Sequence, residues 1–175
     1  RIPIIAITGT NGKTTTTRLT AHISKSAGKK VGYTTSDGVY IQNQLLMKGD
    51  CTGPVSAQFV LKDPTVDFAV LECARGGILK SGLAFQHCDV AIVTNVAADH
   101  MGLGGINTIE QMAKVKAVVP ETVFPHGYAV LNADDEQSRY FADKTRAQIV
   151  WYGLKKNADV KARICNESMS ETVIR

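Results

Sequence analysis

Three short runs of apolar residues constrain the fold of this 175-residue chain more than any other feature. They lie at residues 4–7, 68–71 and 90–93, and each is continuous instead of alternating with polar residues. A strand that is buried on both faces of a parallel sheet has this pattern. Further strand candidates, with helical patterns between them, lie at residues 30–35, 128–131 and 149–152. The alternation predicts a doubly wound α/β fold with a mostly parallel sheet flanked by helices.

Four segments between the strand candidates have helical patterns. They are a segment from Gly12 to near Gly28, residues 54–61, a segment that begins at Asn107, and one that follows Asp134. In the first segment, Leu19, Ile23 and Ala27 recur at a spacing of four. This spacing is the period of one face of a helix.

Two segments fall outside the alternation of strands and helices. Residues 38–48 have the pattern of a hairpin that turns at Gln42 and Asn43. Residues 160–164 and 172–174 have the pattern of short strands that follow the main sheet. We therefore expect a small β appendage in addition to the parallel sheet.

Composition indicates one soluble, globular domain over residues 1–175, because 44% of the residues are apolar and 21% are charged. No apolar run approaches the roughly 18 residues that cross a membrane. The chain has no pattern of a secretory signal. It begins at Arg1, without Met, so we expect it to be an excised fragment of a larger chain.

The charge and the cysteine content indicate which binding partners and which cellular compartment are compatible with this sequence. The net charge is +4 and the basic residues are scattered, so a nucleic acid is not indicated, whereas an anionic substrate is compatible. The four cysteines form no C-x-x-C pair and no zinc spacing, which favours free thiols in a reducing cytoplasm. We expect no nucleic acid or membrane partner; a homo-oligomer of the full-length protein stays open.

A glycine-rich loop at residues 9–14 joins the first strand candidate to the first helical segment. Such a loop binds phosphates through backbone N–H groups and the helix N-terminus. Lys13 can reach the β and γ phosphates, and the Thr14 hydroxyl can bind Mg²⁺. Ile7 stands where the standard pattern has a glycine, so the loop is a variant. The alternative is a polar turn with a solvated lysine. The candidate phosphate-binding residues are Gly9, Thr10, Asn11, Gly12, Lys13, Thr14 and Thr15.

Polar side chains follow two other strand candidates. Glu72 follows residues 68–71, while Thr94 and Asn95, and then Asp99 and His100, follow residues 90–93. Ligands of open α/β sheets bind beyond the carboxyl ends of the strands. A carboxylate beside a bound triphosphate is suited to Mg²⁺. The alternatives are a solvated strand end for Glu72 and a loop or helix-capping histidine for His100.

The third helical segment carries a lysine on its apolar face. Asn107 and Glu110 have the pattern of a capping box, so we expect the helix to begin there. At about 100° per residue, Lys116 lies in the middle of one face. The apolar residues of that face are Ile109, Met112, Ala113 and Val119. An inward lysine needs a partner or a function, or it reaches solvent by snorkelling, and both interpretations stay open.

Three further loops are candidates for ligand contacts. Residues 132–135, which include Asn132 and Asp135, follow a strand candidate and either cap a helix or contact a nucleotide base or ribose. Residues 75–77 form either a mobile turn or an anion-binding loop near the metal. Residues 34–38 end another strand candidate and can line the substrate side.

These residues together resemble the central ATP-binding domain of the Mur ligase superfamily. That superfamily includes peptidoglycan-precursor ligases, folylpolyglutamate synthase and cyanophycin synthetase. The shared motifs are Thr8-Gly9-Thr10-Asn11-Gly12-Lys13-Thr14, Glu72, Thr94-Asn95 with Asp99-His100, and Asn132-Ala133-Asp134-Asp135. The cyanophycin synthetase branch is the most similar, on the more specific stretches 34–41, 49–54 and 71–79.

The resemblance implies roles for the matching residues. Lys13 would hold the β and γ phosphates of ATP, and Asn132 would contact its adenine. Thr14, Glu72 and His100 would bind Mg²⁺, with Glu72 and His100 near the γ phosphate. The implied catalytic groups are thus Lys13 and His100, together with a lysine on the third helix.

That lysine is Lys116, which is the best match for a residue that is carbamylated in many relatives and serves the metal. The implied reaction is ATP-dependent amide ligation through an acyl phosphate. In the cyanophycin branch, a domain of this type adds arginine to the side-chain carboxylate of an aspartate in a poly-aspartate backbone. The resemblance also implies a further lobe that closes the site, so we expect weak or no ligation by this chain alone.

Three alternatives stay open. The chain can belong to another ligase of the superfamily, of the peptidoglycan-precursor or folylpolyglutamate type. It can be a P-loop small-molecule kinase, which needs no amine for turnover. It can also be a nucleotide-binding module without catalysis.

Overall fold

The computed structural model describes residues 1–98, 102–155, 157–162, 164–167 and 172–174. The strands are β1 (Ile4–Thr8), β2 (Val31–Thr35), β3 (Gly38–Ile41), β4 (Gln44–Lys48), β5 (Phe68–Glu72), β6 (Cys88–Val93), β7 (Val123–Asn132), β8 (Gln148–Gly153), β9 (Val160–Lys161), β10 (Ile164–Glu167) and β11 (Thr172–Ile174). The helices are α1 (Lys13–Ser26), α2 (Pro54–Lys62), α3 (Arg75–Ser81), α4 (Ile109–Glu121) and α5 (Ser138–Lys144), with a 3₁₀ turn at Leu103–Gly105.

Nine strands form the main sheet, in the order β4-β3-β2-β5-β1-β6-β7-β8-β9. Strands β2, β5, β1, β6, β7, β8 and β9 pair in parallel, and the pairs β2–β3 and β3–β4 are antiparallel. The predicted mostly parallel sheet with flanking helices is confirmed. The three continuous apolar runs became the central strands β5, β1 and β6, in which one face is buried and the other is less completely buried, with Ile5, Val90 and Ile92 half-buried.

The predicted hairpin is also confirmed and extends the β2 edge of the main sheet. Gln42 and Asn43 both have positive φ, of 49° and 75°, which is the backbone of a two-residue turn that matches strand twist. The predicted appendage is confirmed in part. Strands β10 and β11 form a separate antiparallel pair, whereas β9 joins the main sheet beside β8.

The residues singled out on the first helix, α1, do not face the core. Leu19 and Ile23 are 57% and 59% exposed, whereas Thr17 and Ala21 are buried against the sheet. Small side chains on the inner face allow the helix to approach the strands closely. The spacing of four correctly predicted a helix, but the period of a helix does not say which of its rows faces inward.

Helix α3 was not predicted, because residues 75–77 were interpreted as a loop. Its two glycines suggested a turn, but Gly77 has a packing role. A Cβ atom at Gly77 would lie 2.9 Å from the Cα of Gly53 and 2.9 Å from the carbonyl oxygen of Thr52. The glycine therefore lets α3 pack against the loop that precedes α2.

Helix α4 begins later than predicted. Its N-cap is Thr108, whose side chain accepts a hydrogen bond from the N–H of Gln111, while the Gln111 side chain accepts from the N–H of Thr108. The capping box is therefore this pair and not Asn107 with Glu110. The Gln111 side chain also accepts a hydrogen bond from the N–H of Asn107. Among the described residues, no helix has the length and apolar character needed to cross a membrane.

Candidate functional site

The carboxyl ends of three central strands meet at one edge of the sheet. In the parallel register, Ile7 of β1 lies beside Glu72 of β5 and Ile92 of β6. The phosphate loop (residues 9–14) follows β1, so Glu72 and the residues after β6 come together with it. The position predicted for a ligand site in an open α/β sheet is therefore the place where these polar groups converge.

The phosphate loop has the backbone of an anion site. Gly12 is the N-cap of α1 and has φ 81°, and Gly9 has φ 144°, so both occupy conformations that favour glycine. No acidic residue lies in the first turn of α1, which leaves the positive end of the helix dipole for a ligand. The amine of Lys13 donates a 2.8 Å hydrogen bond to the carbonyl oxygen of Thr10 and so folds back over the loop.

Three oxygen-bearing side chains lie together at the start of α1. The Thr14 hydroxyl donates to Glu72 Oε2 at 2.9 Å and lies 3.0 Å from Ser36 Oγ. The Ser36 N–H also donates to Glu72 Oε2, at 3.3 Å. Hydroxyl and carboxylate oxygens are the ligands that Mg²⁺ prefers, so the donor set fits this ion. The sequence predicted only that Ser36 lines the substrate side. Ser36 directly follows β2, at the same edge of the sheet as Glu72, and this position was the signal that the two residues meet.

Glu72 is buried, with 3% exposure. Burial raises the pKa of its carboxyl group above the ordinary value, while the bond from Thr14 and the charge of Lys13 lower it. The effect of burial is the largest, because the charged form loses more hydration than Thr14, Lys13 and the Ser36 N–H return. A solvated strand end is therefore excluded for Glu72, and a cation would compensate the buried charge.

Lys116 points into the protein, as its place on the apolar face of α4 predicted. Its side chain is 2% exposed, and its amine donates a 2.7 Å hydrogen bond to the carbonyl oxygen of Gly9. Snorkelling to solvent, the alternative, is excluded by this burial. Met112, Ala113 and Val119 are buried on α4 as predicted, whereas Ile109 is half-buried.

A cleft of about 300 Å³ opens beside the phosphate loop. Three of its side chains are basic, namely Lys13, Arg75 and Lys116, and Asp50 is the acidic one. The remaining lining residues are Gly9, Thr10, Ala74, Gly76 and Met112. The structure thus places Arg75 and Gly76, at the start of α3, in the cleft that the phosphate loop also lines.

Asn132 and Asp135 lie in a second pocket, of about 450 Å³, together with Asn95 and Val96. The Asn132 amide donates to the carbonyl oxygen of Thr94 at 2.9 Å and accepts from the N–H of Asp134. The Asp135 carboxylate accepts from the N–H groups of Val96 and Gln137. Asp135 therefore stabilises the turn before α5, but it does not cap the helix, because the N-cap of α5 is Gln137 and no side chain makes a cap hydrogen bond there.

Two of the predicted site residues, Asp99 and His100, lie outside the described residues. Within the ranges that the structure describes, no group of three or more His, Cys, Asp or Glu side chains is close enough to hold a metal. The oxygen cluster of Thr14, Ser36 and Glu72 has one carboxylate and two hydroxyls, so it is a different kind of donor set.

The motifs around this site match a known family over almost the entire chain. A sequence model of the Mur ligase middle domain matches residues 7–175. The chain belongs to the Mur ligase middle domain family. The resemblance that the phosphate loop, Glu72 and the 132–135 motif carried is therefore confirmed.

Relatives of this Mur ligase middle domain are themselves named ligases. It is 62% identical over 160 residues to the cyanophycin synthetase of Crocosphaera subtropica, a match that covers 91% of this chain and 18% of the relative. It is 32% identical over 173 residues to the UDP-N-acetylmuramoyl-L-alanyl-D-glutamate–2,6-diaminopimelate ligase of Geobacillus thermodenitrificans, covering 93% of this chain and 35% of that relative. The chain thus spans about a fifth of the length of the cyanophycin synthetase.

The Mur ligase fold is also found among solved structures. A UDP-N-acetylmuramoyl-L-alanyl-D-glutamate–2,6-diaminopimelate ligase superimposes with a TM-score of 0.82 at 26% sequence identity. The match covers 99% of this chain and 36% of that one. The arrangement of strands and helices described above is therefore that of the middle domain of a Mur ligase.

Proposed function

We propose that this chain is the nucleotide-binding domain of an ATP-dependent amide ligase of the cyanophycin synthetase type. The observation that carries the proposal is the position of the phosphate loop, which lines one cleft together with the buried Lys116 and whose Thr14 hydroxyl donates to the buried Glu72. The 62% identity to a cyanophycin synthetase, against 32% to a diaminopimelate ligase, favours this type within the family. Residues 1–175 would act as one domain of a longer polypeptide.

The proposed reaction has two steps. A substrate carboxylate oxygen attacks the γ phosphorus of ATP, the bond to the bridging oxygen breaks, and an acyl phosphate and ADP form. An amine then attacks the acyl carbon, loses a proton, and displaces inorganic phosphate to leave an amide. Positioning and charge stabilisation account for most of the catalysis of phosphoryl transfer. The residues that line this cleft can supply both.

The residues of the chain would divide this work. Lys13 would bind the β and γ phosphates, and the amides at the start of α1 would bind them through the helix terminus. Lys116, which already bonds to Gly9, would hold positive charge beside the loop. Thr14 and Glu72, with His100, would hold Mg²⁺. That ion supplies charge neutralisation of the phosphates when it is bound.

Asn132 and Asp135 would lie beside the adenosine part of the nucleotide. Both line the second pocket, which Asn95 connects to the phosphate loop. The Asn132 amide has one donor and one acceptor position beyond its two bonds to the protein. These positions suit the edge of a purine ring.

The charges of the cleft suit the proposed substrates. Lys13, Arg75 and Lys116 favour phosphates and the carboxylates of a poly-aspartate backbone, while Asp50, which also lines the cleft, suits a cationic amino acid. In a ligase of the cyanophycin synthetase type, this cationic amino acid would be arginine. We propose further that the protein is cytoplasmic, and that it acts without nucleic acid or membrane partners; a homo-oligomer is proposed only for the full-length protein.

ADP release by the full-length protein tests the proposal. We expect turnover with ATP, arginine and an aspartate-backbone peptide, and little with UDP-linked peptides or folates. Omitting the amine should stop net amide formation, whereas a small-molecule kinase would turn over without it. Stable phosphorylation of an acceptor in the absence of any amine, or preference for a UDP-linked peptide or a folate, would reject the assignment.

A further inference from the structure

Residues 94–97, here called the brace, lie between the phosphate loop and the second pocket. The brace continues from β6, and the N–H of Thr94 donates to the carbonyl oxygen of Thr8 at 3.0 Å. It contacts the phosphate loop on one side and the 132–135 turn on the other. The roles proposed above assign no function to the side chains of Thr94 and Asn95.

The brace holds the backbone of Asn11 from two directions. The Asn95 side chain accepts from the N–H of Asn11 at 3.1 Å and donates to its carbonyl oxygen at 3.1 Å. The Thr94 hydroxyl donates to the same carbonyl oxygen at 2.7 Å. Three hydrogen bonds from two side chains therefore converge on one residue in the middle of the phosphate loop.

Thr10 is held in the same way. Its N–H donates to the carbonyl oxygen of Asn95 at 2.8 Å, and its hydroxyl accepts from the N–H of Ala97 at 3.0 Å. The N–H groups of Thr10 and Asn11 are thus committed to the brace. Anion binding falls to the amides that follow, at the start of α1.

The fit between the brace and the loop leaves no space at Gly9. A Cβ atom at this position would lie 1.8 Å from Thr94 Oγ1 and 3.2 Å from the N–H nitrogen of Asn95. The φ of Gly9, 144°, is also one that side chains rarely adopt. The first glycine of the loop is therefore matched to Thr94 and not only to a phosphate.

The other side of the brace contacts the second pocket. The carbonyl oxygen of Thr94 accepts from the Asn132 amide at 2.9 Å and from the Tyr152 hydroxyl at 2.9 Å. The N–H of Val96 donates to the Asp135 carboxylate. The same four residues therefore join both halves of the nucleotide site.

We propose that Thr94 and Asn95 are positioning residues, which hold the phosphate loop in the shape that accepts a triphosphate before the nucleotide arrives. Their side chains act on the phosphate loop through the backbone of Asn11. Preorganised loops bind more tightly because the ordering entropy is lost on folding and not on binding. The proposal rests on the nucleotide binding in the proposed function, but not on ligation.

Two isosteric variants of the full-length protein test it. Asn95→Asp replaces the donor to Asn11 with an oxygen that repels the carbonyl, and Thr94→Val removes the hydroxyl donor. Thr94→Ser keeps the hydroxyl and serves as the matched control. The probes are ATP and inorganic tripolyphosphate, which engages the phosphate loop without a base, and calorimetry measures their Kd values.

We expect Asn95→Asp to raise the Kd of both probes by about tenfold. We expect Thr94→Val to raise both Kd values by about threefold to tenfold. The Kd values of Thr94→Ser for both probes should stay within about twofold of those of the unmodified protein. The thermal midpoints of all three variants should equal that of the unmodified protein. A role confined to fold stability would instead lower the midpoint and leave the Kd of folded protein unchanged. That result, or a loss of ATP affinity without loss of tripolyphosphate affinity, would overturn the proposal.

The unmodified protein separates this inference from the proposed function. If it binds ATP and the variants behave as expected, but no amide forms with any acceptor, the ligase assignment is wrong and the positioning role of Thr94 and Asn95 is supported. If ligation proceeds and Asn95→Asp binds both probes with unchanged Kd, the positioning role is wrong and the ligase assignment is unaffected.

Discussion

The amine of Lys116 donates a 2.7 Å hydrogen bond to the carbonyl oxygen of Gly9, which joins the middle of α4 to the first residue of the phosphate loop. The sequence separation between them is 107 residues. A buried amine at this place is costly unless its charge is used or compensated. Its position beside the cleft makes it a direct test of the proposed chemistry.

Replacing Lys116 with Met should remove activity and preserve the fold. Met fills a similar volume, but it leaves the Gly9 carbonyl oxygen without its donor, so we expect a folded variant whose thermal midpoint falls by a few degrees. ADP release by the full-length variant should fall by about a hundredfold or more if the amine stabilises the transferring phosphate. Unchanged turnover in a folded variant would remove Lys116 from the catalytic residues. Lys114, which is exposed on the same helix, gives the control variant Lys114→Met.

Glu72→Gln should stabilise the protein without metal and abolish stabilisation by Mg²⁺. Gln keeps the size of the side chain and an acceptor for Thr14, but it removes a carboxylate that is desolvated at neutral pH. We expect a rise of roughly 2–4 °C in the midpoint of the apo variant. Thermal scans with and without Mg²⁺ and ATP measure both effects. A variant that keeps the full response to Mg²⁺ would show that another group binds the ion.

Alkaline pH should destabilise the protein in part through Cys88. Burial raises the pKa of its thiol to about 11, so the folded chain keeps a proton that the unfolded chain releases above the ordinary thiol pKa. Stability from this group is therefore complete below about pH 8.5 and is lost as pH rises towards 11. The slope is at most about 1.4 kcal/mol per pH unit.

Denaturant unfolding between pH 8 and 11 measures this effect. The variant Cys88→Ala should show a shallower decline than the unmodified protein, because it has no thiol to ionise. Equal slopes in the two proteins would mean that Cys88 ionises as readily in the folded chain as in the unfolded one.

Gly77→Ala should destabilise the fold by about 1–3 kcal/mol, because its Cβ would overlap the backbone of Gly53 and Thr52. Its neighbour Gly76 lies in the same helix, and a Cβ there meets nothing within 4 Å. Gly76→Ala should therefore be neutral or slightly stabilising, since alanine favours a helix. Urea denaturation of the two variants gives the comparison. Equal effects would contradict the close packing of α3 on the loop before α2.

Asp50→Asn should raise the KM for arginine in the full-length protein by about tenfold, with the KM for ATP within about twofold. The carboxylate is oriented by the N–H and hydroxyl of Thr52, and both bonds use the same oxygen. Asp63→Asn, at the end of α2 and outside the cleft, is the control. An unchanged KM for arginine would place the cationic substrate elsewhere.

Local sequence determined the parallel sheet, the phosphate loop and the inward side of α4. Continuous apolar runs that alternate with helical patterns fit strands buried between helices, and a glycine-rich turn between strand and helix is a common phosphate site. The period of α4 also placed Lys116 in the interior. These inferences need only neighbouring residues, so a single sequence carries them.

Tertiary structure alone decided the rest, because it depended on contacts between residues far apart in the chain. Which row of α1 faces inward, why Gly77 can sit in a helix, and how Ser36 meets Glu72 all follow from packing across elements. The partner of Lys116 is the clearest case. The helical period predicted that the lysine points inward. Only the pairing of β1 with β6, and the packing of α4 on these two strands, brought Gly9 within reach of its amine.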